Sequence, residues 1–163
     1  MVVTMITTKE AATEFLAAKR VAVTGVSRNP KSHGGNVVYK RLRQRGYEVF
    51  AVNPNAENVE GDAAYPDLKS IPGGVEAVVI ATSPQNAAAT MRECADLGVS
   101  RVWMHRSVDA GSVSPEATDF GRAHGITVID GGCPLMFDPT ADIAHKCMKL
   151  FLSMTGVVPK KVS

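Results

Sequence analysis

The turn leaving the first apolar strand constrains this chain more than any other stretch. Residues Arg20-Val21-Ala22-Val23-Thr24 run into Gly25-Val26-Ser27-Arg28-Asn29-Pro30-Lys31-Ser32-His33-Gly34-Gly35, and a helical apolar pattern starts at Asn36. An apolar strand, a glycine-bearing turn and a helix start are the parts of a nucleotide-phosphate site in a doubly wound α/β fold. Backbone N–H groups converge there at the positive end of a helix. The spacing differs from the dinucleotide fingerprint, because the next glycine after Gly25 is Gly34. The second strand, Glu48-Val49-Phe50-Ala51-Val52, ends in Asn53-Pro54, where an NAD-binding fold places an acid for the ribose hydroxyls. The pattern points to a phosphorylated, nucleotide-like ligand other than NAD.

The rest of the chain keeps the same alternation. Helical spacing of Ala11, Phe15 and Ala18 predicts a helix over 8–19, and Val37, Val38 and Leu42 one that stops at Gly46. Residues 53–62 read as turns. Ala77-Val78-Val79-Ile80-Ala81 is apolar throughout, as a strand buried on both faces should be. Ser83-Pro84 and Ser114-Pro115 read as N-cap and first-turn proline of two further helices, ending near Gly98 and Gly125. Strands are expected at 101–104 and 127–129, a last helix at about 139–154, and a frayed tail at 159–163. The fold class is therefore α/β: a single doubly wound, mostly parallel sheet with helices on both faces, in one domain spanning 1–163 with a core of about 19–137. Loops at the carboxyl ends of the strands converge in such a sheet. Those loops are 25–34, Asn53-Pro54, 82–86 and 105–114, with 130–134 a further candidate.

Composition narrows the partners. The 163 residues carry 18 Lys+Arg against 16 Asp+Glu, a net charge of +2, which argues against a nucleic-acid binder with its strong basic stripe. The extra positives fall around 31–45 and at Lys160-Lys161, a field suited to a compact anion. The three cysteines, Cys94, Cys133 and Cys147, form neither a CxxC pair nor an even framework, so neither zinc nor disulfides are expected. The N-terminus lacks a basic segment followed by an apolar one, and no apolar run approaches a membrane span; the expectation is a cytoplasmic protein with no membrane partner.

Together the loops resemble the CoA-binding domain family of small Rossmann-like proteins and, more distantly, the N-terminal CoA-binding domain of the succinyl-CoA synthetase alpha subunit. The matching residues are Gly25 to Pro30, Val52-Asn53-Pro54, the Gly61…Tyr65-Pro66-Asp67-Leu68…Ile71-Pro72 segment, Val102-Trp103-Met104 and Cys133-Pro134. They cover roughly 19–137. The chain departs from many small members in Ala81-Thr82-Ser83-Pro84, and shares His105-Arg106-Ser107 and Gly132-Cys133-Pro134-Leu135-Met136 with only some. The synthetase's second domain, with its phosphorylated histidine, has no counterpart here.

The resemblance implies coenzyme A or an acyl-CoA as ligand, bound by a stand-alone module without catalysis of its own. Gly25, Val26 and Ser27 would hold the diphosphate, although a glycine there also suits an ordinary tight turn. Ser27 and Asn29 either donate to phosphate oxygens or cap the turn, and Arg28 and Lys31 either contact phosphates or are solvated charges. Asn53 and Pro54 would border the adenosine 3′-phosphate end. Thr82, Ser83 and Pro84, with His105, Arg106 and Ser107, would flank the pantetheine; Ser83 reads equally as a helix cap. His33, His105, His124 and His145 show no metal spacing. Cys133 reads as a small buried residue before a proline, with a thiol able to pair with CoA sulfur as the other possibility. Alternatives are an NAD(P)-binding oxidoreductase and a CoA-binding subunit of a larger ligase or acyl-transfer complex. A homodimer or an unidentified protein partner stays open.

Overall fold

A computed structural model describes residues 4–29, 34–106, 111–137, 140–141 and 143–162, the Ala144 side chain apart. Its centre is β2 (Arg20–Thr24), whose Val21, Ala22 and Val23 are wholly buried. A strand buried on both faces has to pair on both edges. Parallel neighbours do so: β3 (Glu48–Val52) on one side and β6 (Ala77–Ile80) on the other, with Val23 opposite Ala51 and Val79. Beyond β6 lie β7 (Arg101–Met104) and β8 (Thr127–Asp130), again parallel. The far edge carries β5 (Asp62–Tyr65), parallel to β3, and β4 (Asn58–Val59), antiparallel to β5. The chain thus winds one way from β2 to β3 and the other way from β6 onward, and the reversal falls between β2 and β6.

Helices cover both faces. Val21, Val23, Val79, Trp103 and Ile129 pack under α1 (Thr8–Leu16), α2 (Gly34–Gln44) and α5 (Ile143–Thr155). Ala22, Val78, Ile80, Val102 and Val128 pack under α3 (Pro84–Asp96) and α4 (Pro115–Ala123). Trp103 fills the first face: its indole N–H donates to Gly131 O at 2.8 Å, and Phe15 and Phe137 lie at 5.4 Å centroid distance. The expected helix stop at Gly125 has φ +76°, and His124 Nδ1 lies 2.8 Å from Phe120 O at that helix end.

Three expectations change. The turn-rich 53–62 stretch contains a hairpin, whose two-residue turn Glu60-Gly61 has φ of 51° and 82°. Positive φ at both central residues is the twist that matches a hairpin. A glutamate tolerates it here because Asn36 Nδ2 and Lys40 Nζ hold its carboxylate, at 2.8 and 3.9 Å, and Arg43 bonds its carbonyl at 2.9 Å. The tail is not frayed either. β9 (Lys161–Val162) pairs antiparallel with β1 (Ile6–Thr7), Thr8 N–H donates to Lys160 O, and Val162 is wholly buried. The last helix spans Ile143–Thr155, after a separate 3₁₀ turn at Pro134–Met136; the expected start at about 139 lies outside the described residues.

Close approach at the β2–β6 reversal depends on two glycines. A Cβ on Gly25, at φ +72°, would lie 2.6 Å from Ala81 C; one on Gly35 would lie 2.8 Å from Gly25 O. Strand end and helix start are therefore in direct backbone contact.

Val162→Ala should lower unfolding free energy by about 1–3 kcal/mol, while Lys161→Ala on the exposed side of the same strand stays within about 0.5 kcal/mol. Urea unfolding compares the two, and equal small losses would mean that the tail is not part of the core. The same measurement separates the glycines. Gly25→Ala should cost more than about 2 kcal/mol, and Gly46→Ala, with φ +85° but open space around it, only about 1 kcal/mol. Equal costs would show that the Ala81 contact is loose.

Candidate functional site

A cleft of about 520 Å³ opens at the reversal point, where a doubly wound sheet places its ligand. Its volume lies within the roughly 300–1,000 Å³ of small-molecule sites. The ends of three strands supply the walls: Gly25, Val26 and Ser27 after β2, Asn53 and Pro54 after β3, and Thr82 and Ser83 after β6. Seven residues expected from the sequence are thus brought together.

What each does locally differs from the simple expectation. Gly25 directs the missing Cβ at the Ala81 backbone rather than into the cleft, so the glycine serves the packing of β2 on β6 before it serves any ligand. The Ser27 N–H is already used, donating to Asn36 Oδ1 at 2.8 Å, while Asn36 Nδ2 donates to Ser27 O at 2.7 Å. Ser27 Oγ accepts from Asn29 N–H at 3.0 Å, the turn-capping alternative. Asn53 Nδ2 donates to Val26 O at 2.9 Å and its Oδ1 accepts from Asn55 N–H at 2.8 Å. Asn53 thereby laces the β3 loop to the β2 loop. An aspartate at that position could not donate to Val26 O. Ser83 precedes α3 without capping it; its Oγ accepts from Asn86 Nδ2 at 3.2 Å. Thr82 Oγ1 is shielded from water and has no hydrogen-bond partner among the described residues. A buried hydroxyl in that state carries a free-energy penalty of about 1–3 kcal/mol until something bonds it.

The other expected residues lie elsewhere. Arg28 and Asn29 are exposed beside the turn and do not line the cleft. Pro84 is the first residue of α3, behind Ser83. His105 is buried on the other side of α2, where its ring lies 2.6 Å from the position of a Cβ on Gly34. It shares a small cavity with Cys133, which is buried as expected, and His145. Arg106 N–H bonds Gly132 O at 2.9 Å, joining the β7 and β8 ends. Lys31 and Ser107 lie outside the described residues.

Sequence reasoning missed the far end of the cleft. Pro66, Asp67 and Leu68 close it after β5, and Thr90 and Glu93 line it from α3, beyond Asn86 at the end of the expected 82–86 loop. The three α3 residues recur at i, i+4 and i+7 after the Ser-Pro start, a polar stripe on one helix face. Asp67 Oδ1 accepts from the Ser70 hydroxyl and N–H at 2.7 and 2.8 Å, which holds its carboxyl below the usual carboxylate range. The cleft therefore has an amide-and-hydroxyl end at Gly25–Ser27 and a carboxylate end at Asp67 and Glu93.

Comparison with known proteins identifies the family. The profile of the CoA binding domain matches residues 19–139. The alpha subunit of an ADP-forming acetate–CoA ligase II from Pyrococcus furiosus is 27% identical over 158 residues, covering 88% of this chain and 34% of the relative. An ADP-forming acetate–CoA ligase II from Archaeoglobus fulgidus is 36% identical over 118 residues, 68% of this chain and 17% of that protein. This chain thus spans about a third or less of the ligase relatives it matches. A solved structure of a hypothetical protein from Pyrococcus horikoshii OT3 superposes with a TM-score of 0.67 at 29% identity, covering 74% of this chain and 82% of that one. The chain belongs to the CoA-binding domain family.

Proposed function

We propose that this chain binds coenzyme A or an acyl-CoA in the cleft at the β2–β6 reversal and acts as a binding module. The observation that carries the reading is the unbonded Thr82 hydroxyl in the wall of a cleft that starts at the Gly25–Ser27 turn. A χ1 rotation turns that hydroxyl toward a ligand oxygen. The diphosphate lies over Gly25 and Val26, close to the first turn of α2, where the helix end favours negative charge. Asn53 and Pro54 border the adenosine, and the pantetheine leaves past Thr82 and Ser83.

The reading assigns the cleft recognition of a ligand, through the backbone of Gly25 and Val26 and the hydroxyl of Thr82. NAD fits less well: the residue that would meet its ribose hydroxyls is Asn53, whose amide is held by Val26 and Asn55. A second reading has one observation behind it. The match to a ligase alpha subunit covers 88% of this chain, which supports a role as the CoA-binding part of a larger ligase assembly.

CoA at a hundredfold excess over its dissociation constant should add about 2.7 kcal/mol of stability, read as a raised melting temperature. NAD at the same concentration should add little. A shift from NAD equal to that from CoA would contradict the assignment. Purification from native cells with mass spectrometry of bound chains tests the assembly reading: a stoichiometric ligase subunit supports it, and a lone chain with CoA supports the independent module.

A further inference from the structure

Resting on the cleft as a CoA site, we propose that Glu93 recognises the 6-amino group of the adenine and so fixes which end of the ligand enters the α3 side. The cleft is electrically lopsided. Asp67 and Glu93 stand at one end, and no lysine or arginine lines the cleft among the described residues. A phosphate placed about 5 Å from either carboxylate would lose on the order of a hundredfold in affinity before salt screening. The phosphates therefore belong at the Gly25–Ser27 end. The uncharged base belongs at the other, with the ribose 3′-phosphate turned away from the two carboxylates.

That other end has the chemistry of a base pocket. Val52, Pro54, Leu68 and Ala89 give it apolar walls suited to a planar ring. Each carboxylate has one oxygen bonded within the protein, and their places differ. Asp67 Oδ1 takes both Ser70 bonds, hydroxyl and N–H, inside its own loop, whereas Glu93 follows the wall residue Ala89 by one turn on the same face of α3. Glu93 uses Oε1 to accept from Lys69 N–H at 3.0 Å, which fixes the side chain and leaves Oε2 as an acceptor at the cleft. An ionised carboxylate only accepts, and the exocyclic amine of adenine donates. A purine with a 6-keto oxygen would instead set oxygen against oxygen. Glu93 is thus a specificity-determining residue for a 6-aminopurine, and Thr90, one turn earlier on α3, lies on the ribose side.

The test is a titration of CoA against 1,N6-etheno-CoA, whose amine is tied into a ring and cannot donate. Wild type should prefer CoA by about tenfold or more, the worth of one hydrogen bond to a charged acceptor. Glu93→Gln keeps the Lys69 bond through Oε1 but turns a donor toward the base; Glu93→Ala removes both. In each variant the preference should fall below about twofold while etheno-CoA affinity changes by less than about twofold. Unliganded melting temperatures check that both variants fold. A preference that persists in Glu93→Gln and Glu93→Ala, or that is missing from wild type, overturns the inference while leaving CoA binding in place. A wild-type protein that binds neither ligand overturns the reading of the cleft, and this inference with it.

Discussion

The side chain of Asn36 holds the site region together. It is wholly buried in the first turn of α2, yet every polar atom it carries is bonded. Its Oδ1 accepts from Ser27 N–H, and its Nδ2 donates both to Ser27 O and to Glu60 Oε1, at 2.7 to 2.8 Å. One residue thereby ties the β2 turn, the helix that follows it and the edge hairpin. Each such bond contributes about 1 kcal/mol net, but removing the side chain would leave buried groups unbonded at about 1–3 kcal/mol each. Gly35, its neighbour, lets the same helix turn sit against Gly25 O. These contacts fix the Gly25–Ser27 backbone against the start of α2.

The hairpin gains from the same network. Glu60 adopts a backbone conformation that few side chains tolerate, and Asn36, Lys40 and Arg43 surround it. Next to it Asp62 accepts from Tyr39 Oη and Arg43 Nη1, which lowers its carboxyl pKa, while burial and that carboxylate push the Tyr39 hydroxyl up. Polar residues of α2 thus anchor an edge that has little apolar surface of its own. Asn53 completes the arrangement from β3 by bonding Val26 O. Loop ends that share bonds in this way present a cleft formed before any ligand arrives, which reduces the ordering cost of binding.

The strands were legible in the sequence because burial on both faces leaves an uninterrupted apolar run. The bounds 20–24 and 101–104 follow from such runs, and 48–52 from a short apolar run between Gly46 and Asn53-Pro54. The hairpin was not, since its stability comes from α2, far away in the chain, and its turn uses a glutamate where glycine or asparagine is the usual signal. Val162 gave no signal because a two-residue strand has no periodicity. In the site, Gly25–Ser27, Asn53-Pro54 and Thr82-Ser83 met as the topology requires. Thr90 and Glu93 lie beyond the 82–86 loop, in a helix read only for its Ser-Pro start and its stop near Gly98. His105 follows a strand in the same way as Thr82, but its ring turns under α2, toward Cys133 and His145.

A crystal structure of the protein grown with CoA tests the central claim most directly. The account predicts the diphosphate over Gly25 and Val26 against the start of α2, with the adenine between Pro54 and α3 and the Thr82 hydroxyl bonded to the ligand. The groove between α1 and α5, lined by Lys9, Lys146 and Lys149, is the competing place for an anion. A diphosphate in that groove, with the cleft at the β2–β6 reversal empty, would contradict the account.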